Sequence, residues 1–267
     1  ESSDAHEYFH YNDKAKYYKH DICDYDKIKH LFESVDTVFH CAAEARIQPA
    51  IINPLKAVMT NSYGTCSVLQ AAREAGVRRV VYSSTSSAYG LMNQIPNVET
   101  QSDDCLNPYS VSKVSGEKLC KMYSDLFGLE TVVFRYFNVY GKNQPTRGQY
   151  APVIGLFLKQ AKENKPLTIV PDGEQRRDFT HVSDVVSANI LASTVKMEKY
   201  GQVFNIGTGI NYSVNELTNF ISKDTVMIDP RIGESRETLA NINKAKTVLG
   251  WKPKVILEQW ISEQLNG

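Results

Sequence analysis

The feature that most restricts this chain is a regular alternation of short apolar runs with amphipathic stretches. Val35-Asp36-Thr37-Val38-Phe39-His40 reads as a buried strand, and Pro54 to Ala75 as a helix closed by Gly76. Val80-Val81-Tyr82-Ser83 is a second strand. Asn107 can cap a helix with Pro108 at its first position, ending near Gly128. Thr131-Val132-Val133-Phe134 is a third strand. Apolar strands separated by helices pair in parallel and need cover on both faces. The predicted fold class is therefore α/β, a doubly wound parallel sheet. Ligands of such sheets sit beyond the carboxyl ends of the strands, so the residues that follow each strand are the ones to read.

From Lys142 the character changes. The segment to Phe179 is rich in Gly, Pro and Gln and reads as looped. Ser183 then starts a further amphipathic helix, Val203 to Gly207 reads as a strand running into a turn, and Ser213-Val214-Asn215-Glu216 is a capping box. The expected division is a nucleotide-binding domain from residues 1–141 and about 181–206, with a smaller ligand-binding lobe from about 142–180 and 207–267. A doubly wound dinucleotide domain normally opens with a strand and a Gly-rich phosphate turn, followed about 20 residues later by an acidic ribose ligand. Neither motif is present in the sequence, which leads us to expect that roughly 30 or more N-terminal residues, about one βαβ unit, are missing.

Composition narrows the partners. With 30 Lys+Arg against 30 Asp+Glu the formal net charge is zero, which gives no reason to expect nucleic acid or an anionic membrane. Any anionic ligand must be met by local cations. The cysteines (Cys23, Cys41, Cys66, Cys105, Cys120) are odd in number and contain no C-x-x-C pair, so reduced thiols in a cytoplasmic protein are expected, without a metal site. No apolar run is long enough for a membrane span.

The chemistry begins with Tyr109-Ser110-Val111-Ser112-Lys113. Tyr and Lys four apart share a helix face. A phenol titrates near 10, and a neighbouring ammonium favours its phenolate, so such a pair can act as a base. The spacing alone is weak, because Tyr25 and Lys29 repeat it. Context separates the two pairs. Ahead of Tyr109 lies a strand that runs into Ser83-Ser84-Thr85-Ser86-Ser87, a set of hydroxyls able to hold the oxygen that Tyr109 would deprotonate. His40, at a strand end, reads as a core histidine.

Together these segments resemble the extended short-chain dehydrogenase/reductase family, the NAD-dependent epimerases and dehydratases, and within it the UDP-hexose 4-epimerases. The resemblance runs along nearly the whole chain and implies a Rossmann-like domain holding NAD. It implies cofactor contacts at Asp21 and Ile22, at Cys41, Ala42 and Ala43, at Asn61 supporting the nicotinamide region, and at Ser83 and Ser84. It places the catalytic hydroxyl on Thr85, the base on Tyr109 and the lysine on Lys113. In Arg135-Tyr136-Phe137-Asn138-Val139-Tyr140-Gly141, Tyr136 and Phe137 would flank the nicotinamide, and Asn138 would meet the sugar diphosphate. Arg176-Arg177-Asp178-Phe179 supplies a phosphate-binding Arg177, and Arg231-x-Gly-Glu234 a second arginine and a ribose-binding acid. Gln149, Tyr150, Thr168, Val170 and Thr238 complete the implied substrate pocket. Pro171 stands where the family usually has Gly, and Glu234 where Asp is commoner.

The family hosts several reactions. Its dehydratases carry an Asp-Glu pair just after the catalytic threonine, whereas this chain has Ser86-Ser87, and hydroxyls cannot replace an acid and a base at neutral pH. Epimerisation at C4 of a UDP-hexose or UDP-N-acetylhexosamine through a 4-keto intermediate is the expected activity. A nucleotide-sugar reductase or dehydrogenase of the same fold stays open as an alternative, as does a non-catalytic binding homologue. The resemblance further implies a homodimer through a four-helix bundle, with Val68, Leu119 and Met122 as candidate contacts. Counting from Arg231, Thr238 falls on a position that lines the hexose pocket, where a small side chain leaves room for an N-acetyl group.

Overall fold

The computed structural model describes residues 12–146, 151–230, 233 and 235–266. A short helix α1 (Tyr25–Ile28) precedes strand β1 (Thr37–His40). Then come α2 (Ile47–Ile52), α3 (Pro54–Val58) and α4 (Gly64–Glu74). A π-helical turn, Met59–Tyr63, joins α3 to α4, so the expected single helix is continuous but interrupted. Gly76 ends it at φ +71, a conformation that a side chain would strain. Strand β2 (Arg79–Thr85) runs into a 3-10 turn, Ser86–Tyr89, and a long loop leads to α5 (Pro108–Phe127). As expected, Asn107 caps α5, Pro108 opens it and Gly128 closes it in the left-handed region.

Strands β3 (Glu130–Tyr136) and β4 (Val139–Tyr140) follow, then α6 (Val153–Lys162), β5 (Leu167–Ile169), β6 (Arg176–Asp178), β7 (Thr180–His181) and α7 (Val182–Thr194). Strand β8 (Gln202–Ile206) precedes β9 (Asn211–Ser213), α8 (Val214–Ile221) and β10 (Thr225–Met227). Helices α9 (Asn243–Leu249) and α10 (Leu257–Asn266) end the described chain. Two expectations need correction. The segment from 142 to 179 is not simply looped, because α6 forms there with Ile154, Phe157 and Leu158 buried on one face. The cap of α7 is the His181 ring, which accepts from the Ser183 N–H, so the helix starts one residue before Ser183.

The main sheet has the order β1-β2-β3-β8, with every pair parallel. Side-chain alternation along β2 and β3 covers both faces. Val80, Tyr82 and Val133 pack with Leu69, Ala72, Cys120 and Tyr123 of α4 and α5. Val81, Val132 and Phe134 pack on the other face with Ala188, Ala192, Ala245 and Leu249 of α7 and α9. A separate core gathers Ile154, Phe157, Leu167, Leu217, Trp260 and Ile261 from α6, β5, α8 and α10. We keep the two-part division as a proposal with one refinement: Ala240 to Trp251 return to the core of the main sheet instead of the small lobe. Val68 is buried, and Leu119 and Met122 pack partly against the cluster that α4 and α5 form with the sheet. The apolar side chains that these helices leave exposed are Leu55, Val58, Met59, Tyr63, Val111, Leu126 and Phe127.

Candidate functional site

Beyond the carboxyl ends of β2 and β3 lies a cleft of about 640 Å³, walled by both parts of the chain. From the main sheet come Ser84 to Ser87, Tyr109, Tyr136 and Asn138. Thr168, Val170, Gln175, Arg177 and Thr238 come from the small lobe and the segment that crosses back from it. The sequence reading did not foresee the segment Ala45 to Gln48, which also lines the cleft. Its only signal was its place just after a strand-end motif.

Thr85 and Tyr109 meet on one wall. Thr85 ends β2, and its hydroxyl oxygen accepts the Ser87 N–H at 3.1 Å. That leaves the Thr85 O–H free to donate. Burial pushes the Tyr109 phenol above its usual 10, and a hydrogen bond from Thr85 works against that by favouring the phenolate. One helical turn on, Lys113 is 2% exposed. Its ammonium lies 4.3 Å from the centre of the Tyr82 ring and pairs with no carboxylate among the described residues. Burial brings Lys113 down to about 8. His40, also buried, bonds Thr65 Oγ1 at 2.9 Å and is held at about 3 by burial, which fits a neutral core histidine.

Below this wall lies a buried network of ion pairs, in which one terminal nitrogen of Arg135 is left without a partner. Ser84 donates to Glu117, whose carboxylate receives Arg135 through Nε at 2.9 Å and through a terminal nitrogen at 2.7 Å. Asp103 takes the same terminal nitrogen at 2.7 Å. Neither Glu117 nor the positioning role of Arg135 was picked out from the sequence, since a carboxylate eight residues after Tyr109 looks like an ordinary helix face.

Asn61 is completely buried and ties two segments. Its amide exchanges hydrogen bonds with the Glu44 backbone at 2.8 and 3.0 Å and donates to Ser112 Oγ at 2.9 Å. It thus supports the segment that carries Cys41, Ala42 and Ala43. Ser83 donates to Cys41 and Tyr136. The Asp21 carboxylate accepts the Cys23 N–H at 2.8 Å, and Ile22 packs against Gly64, where a Cβ would lie 2.7 Å from its methyl. None of these residues lines the cleft except Tyr136. Phe137 is fully buried beside Tyr89 and does not reach the cleft, so it cannot flank a ligand there.

On the far wall, Asn138 adopts φ +30 and donates to the Asp178 carbonyl at 3.0 Å and to Thr238 Oγ1 at 3.4 Å, which joins the two parts. The Arg177 guanidinium reaches the carbonyls of Arg176 and Arg236. Thr168 accepts the Gln160 amide. Gln149, Tyr150, Arg231 and Glu234 lie outside the described residues.

This arrangement has clear relatives. The model of the family described as "NAD dependent epimerase/dehydratase family" matches residues 2–207. The chain belongs to the NAD dependent epimerase/dehydratase family. It is 36% identical over 263 residues to a putative UDP-glucose 4-epimerase of Methanocaldococcus jannaschii, covering 96% of this chain and 84% of that one. Among solved structures, the UDP-glucose 4-epimerase of Thermotoga maritima with UDP-glucose superposes with a TM-score of 0.91 at 33% identity, covering 96% of this chain and 85% of that one. A UDP-glucuronic acid 4-epimerase of Bacillus cereus, in complex with UDP-glucuronic acid and NAD, gives 0.87 at 30%, covering 96% and 82%.

The residues fit the family's cofactor. An ammonium buried without a carboxylate, as Lys113 is, costs free energy unless polar groups are brought to it, and ribose hydroxyls have that chemistry. Cys41 and Ala42 leave an exposed ledge without bulk at the end of β1. Among the described residues, no helix is long and apolar enough to cross a membrane, and all five cysteines are free thiols.

Proposed function

We propose that the protein inverts the C4 hydroxyl of a UDP-hexose or UDP-N-acetylhexosamine with NAD. The observation that carries this is the meeting of Tyr109 and Thr85 on the cleft wall, followed by Ser86 and Ser87 and by no acid among the described lining residues. Elimination of water needs an acid and a base beside the reacting carbons, and this wall offers neither beyond Tyr109. Reversible oxidation at C4 needs only the one proton carrier.

In this reading Asp21, Ile22, Cys41, Ala42, Ala43, Ser83, Tyr136 and Lys113 hold the cofactor, with Asn61 bracing the segment from 41 to 44. NAD supplies a hydride acceptor and then a hydride donor when bound. Tyr109 takes the proton of the C4 hydroxyl while Thr85 donates a hydrogen bond to the same oxygen. The 4-keto sugar then turns within the cleft so that its opposite face meets the returning hydride, and Tyr109 gives the proton back to O4. Asn138 and Arg177, with Arg231 and Glu234, hold the UDP portion, since a diphosphate is best met by guanidinium forks. Gln149, Tyr150, Thr168, Val170 and Thr238 shape the rest of the pocket.

The family's homodimer is part of the proposal. Leu55, Met59, Tyr63 and Val111 form an exposed apolar face on α3, the π turn and α5, which supports a four-helix contact about a two-fold axis. Light scattering at micromolar concentration should give twice the monomer mass. A cytoplasmic enzyme fits the free thiols. The experiment that tests the activity is to incubate the protein with UDP-glucose, UDP-GlcNAc and NAD and to follow the C4 epimer by NMR. Conversion without net NADH is expected, and net consumption of cofactor would favour a reductase instead.

A further inference from the structure

Two arginines stand among the described residues that line the cleft, Arg46 and Arg177, and no aspartate or glutamate does. Arg177 is engaged by backbone carbonyls. Arg46 is different. It is half-buried, and its guanidinium makes no hydrogen bond or ion pair among the described residues. Its sequence neighbour Glu44 is already held by Lys56 at 2.6 Å. The other described arginines are all committed: Arg78, Arg79, Arg135, Arg176 and Arg236 to carboxylates, and Arg73 to the Phe127 ring at 3.8 Å. A partly desolvated guanidinium with no partner is held at a cost, which an incoming anion would offset.

The position of Arg46 indicates which anion. It precedes α2, which packs on α5, so it shares the wall that carries Thr85, Ser86 and Tyr109. Arg177 stands on β6 in the other wall. A sugar nucleotide with its C4 hydroxyl at Tyr109 and its diphosphate at Arg177 presents its hexose, not its phosphates, to Arg46. Guanidinium forks match carboxylates in geometry as well as charge. We propose that Arg46 receives a carboxylate carried by the hexose, so that the preferred substrate is a UDP-hexuronate, with or without an acetamido group. This rests on the C4-epimerase reading above.

The test compares the full-length wild type with Arg46→Met and Arg46→Lys on UDP-glucuronate, UDP-glucose and UDP-GlcNAc, by turnover and by calorimetric binding, with UDP alone as a control. Thermal midpoints confirm that each variant folds. Wild type should favour UDP-glucuronate over UDP-glucose by at least about 10-fold in kcat/KM, as one charge-assisted bidentate pair allows. Arg46→Met should erase that ratio, mainly through KM, and Arg46→Lys should restore part of it. A wild type that turns over UDP-glucose with no preference for the acid overturns the proposal and leaves the epimerase reading standing. So does an Arg46→Met protein that weakens UDP and every sugar nucleotide equally, because that places Arg46 on the diphosphate. If wild type binds UDP-glucuronate more tightly than UDP-glucose, loses that margin in Arg46→Met and yet epimerises neither, the carboxylate receptor stands and the epimerase reading fails.

Discussion

Arg135 and Lys113 are each 2% exposed. Their surroundings are opposite. Arg135 has two carboxylates, Glu117 and Asp103, and its pKa is pushed up by Glu117 against the effect of burial. Lys113 has the face of Tyr82 and no carboxylate, and burial brings it down to about 8. A buried charge with its counter-charge in place has finished its work when the chain folds. A buried charge left without one keeps free energy in reserve for whatever binds next. The Arg135 region therefore reads as the foundation and the Lys113 region as the working surface. Glu117 joins them, because it sits on the same helix as Tyr109 and Lys113, grips β3 through Arg135 and holds β2 through Ser84.

The sharpest way to break that contrast is at Tyr109. Tyr109→Phe removes the proposed proton carrier of the cleft wall but no partner from the foundation. It should lower kcat by about 1,000-fold or more while leaving the thermal midpoint nearly unchanged. A Tyr109→Phe protein that epimerises at the wild-type rate would remove Tyr109 from the chemistry. The foundation should respond the other way. Glu117→Ala leaves the buried guanidinium with Asp103 alone and should cost about 3 kcal/mol of stability, read by denaturant titration. If Glu117→Ala unfolds at wild-type denaturant concentration, the pair is not what holds α5 to the sheet.

The foundation and the working surface were unequally legible in the sequence. The parallel sheet could be read because Val80 to Ser83 and Thr131 to Phe134 are apolar on both faces, a pattern that few other arrangements bury. The ends of α5 could be read from Asn107, Pro108 and Gly128, each of which acts locally. Helix α6 was hidden because the Gly, Pro and Gln around it masked a single apolar face that only tertiary packing completes. Glu117 was hidden for a related reason: nothing in a helical stretch marks which carboxylate will meet an arginine from a strand. Phe137 misled because its neighbours in the motif, Tyr136 and Asn138, do line the cleft, while strand alternation turns Phe137 into the core. Thr85 and Tyr109 were singled out by resemblance, and the structure brings both to the cleft wall.

Lys113 offers a smaller but more diagnostic effect. Its folded pKa, about 8, lies below the ordinary 10.5. Between those values the unfolded chain binds more protons than the folded one, so stability rises with pH across that window and falls as pH drops through about 8. At neutral pH the buried ammonium is a burden on the ligand-free protein. Lys113→Met should stabilise that protein at pH 7 by about 2–3 kcal/mol and flatten the rise between pH 8 and 10.5. The same variant should lose affinity for NAD. A Lys113→Met protein that is less stable at pH 7, with the rise intact, would show that Lys113 belongs with Arg135 among the settled charges.

The smallest expected effect concerns substrate size at the other wall. Thr238 is 5% exposed, lines the cleft and accepts a hydrogen bond from Asn138. Its side chain is small, so the space beside it is open to a substituent on the sugar ring, and its hydroxyl proton is free for an acetamido oxygen. Replacing it with tyrosine would place a ring in that space. A packed wall does not absorb an aromatic ring without strain, whereas a bare hydroxyl on the sugar needs far less room than an N-acetyl group. Thr238→Tyr should therefore lower kcat/KM for UDP-GlcNAc by about 10- to 100-fold relative to UDP-glucose, the range that steric discrimination in a pocket usually reaches. The Asn138 bond offers an internal control. Thr238→Val keeps the volume but removes the hydroxyl, so it should reduce both substrates without changing their ratio much. If Thr238→Tyr leaves the UDP-GlcNAc to UDP-glucose ratio as it was, the pocket for the acetamido group lies elsewhere, and Thr238 serves only to hold Asn138.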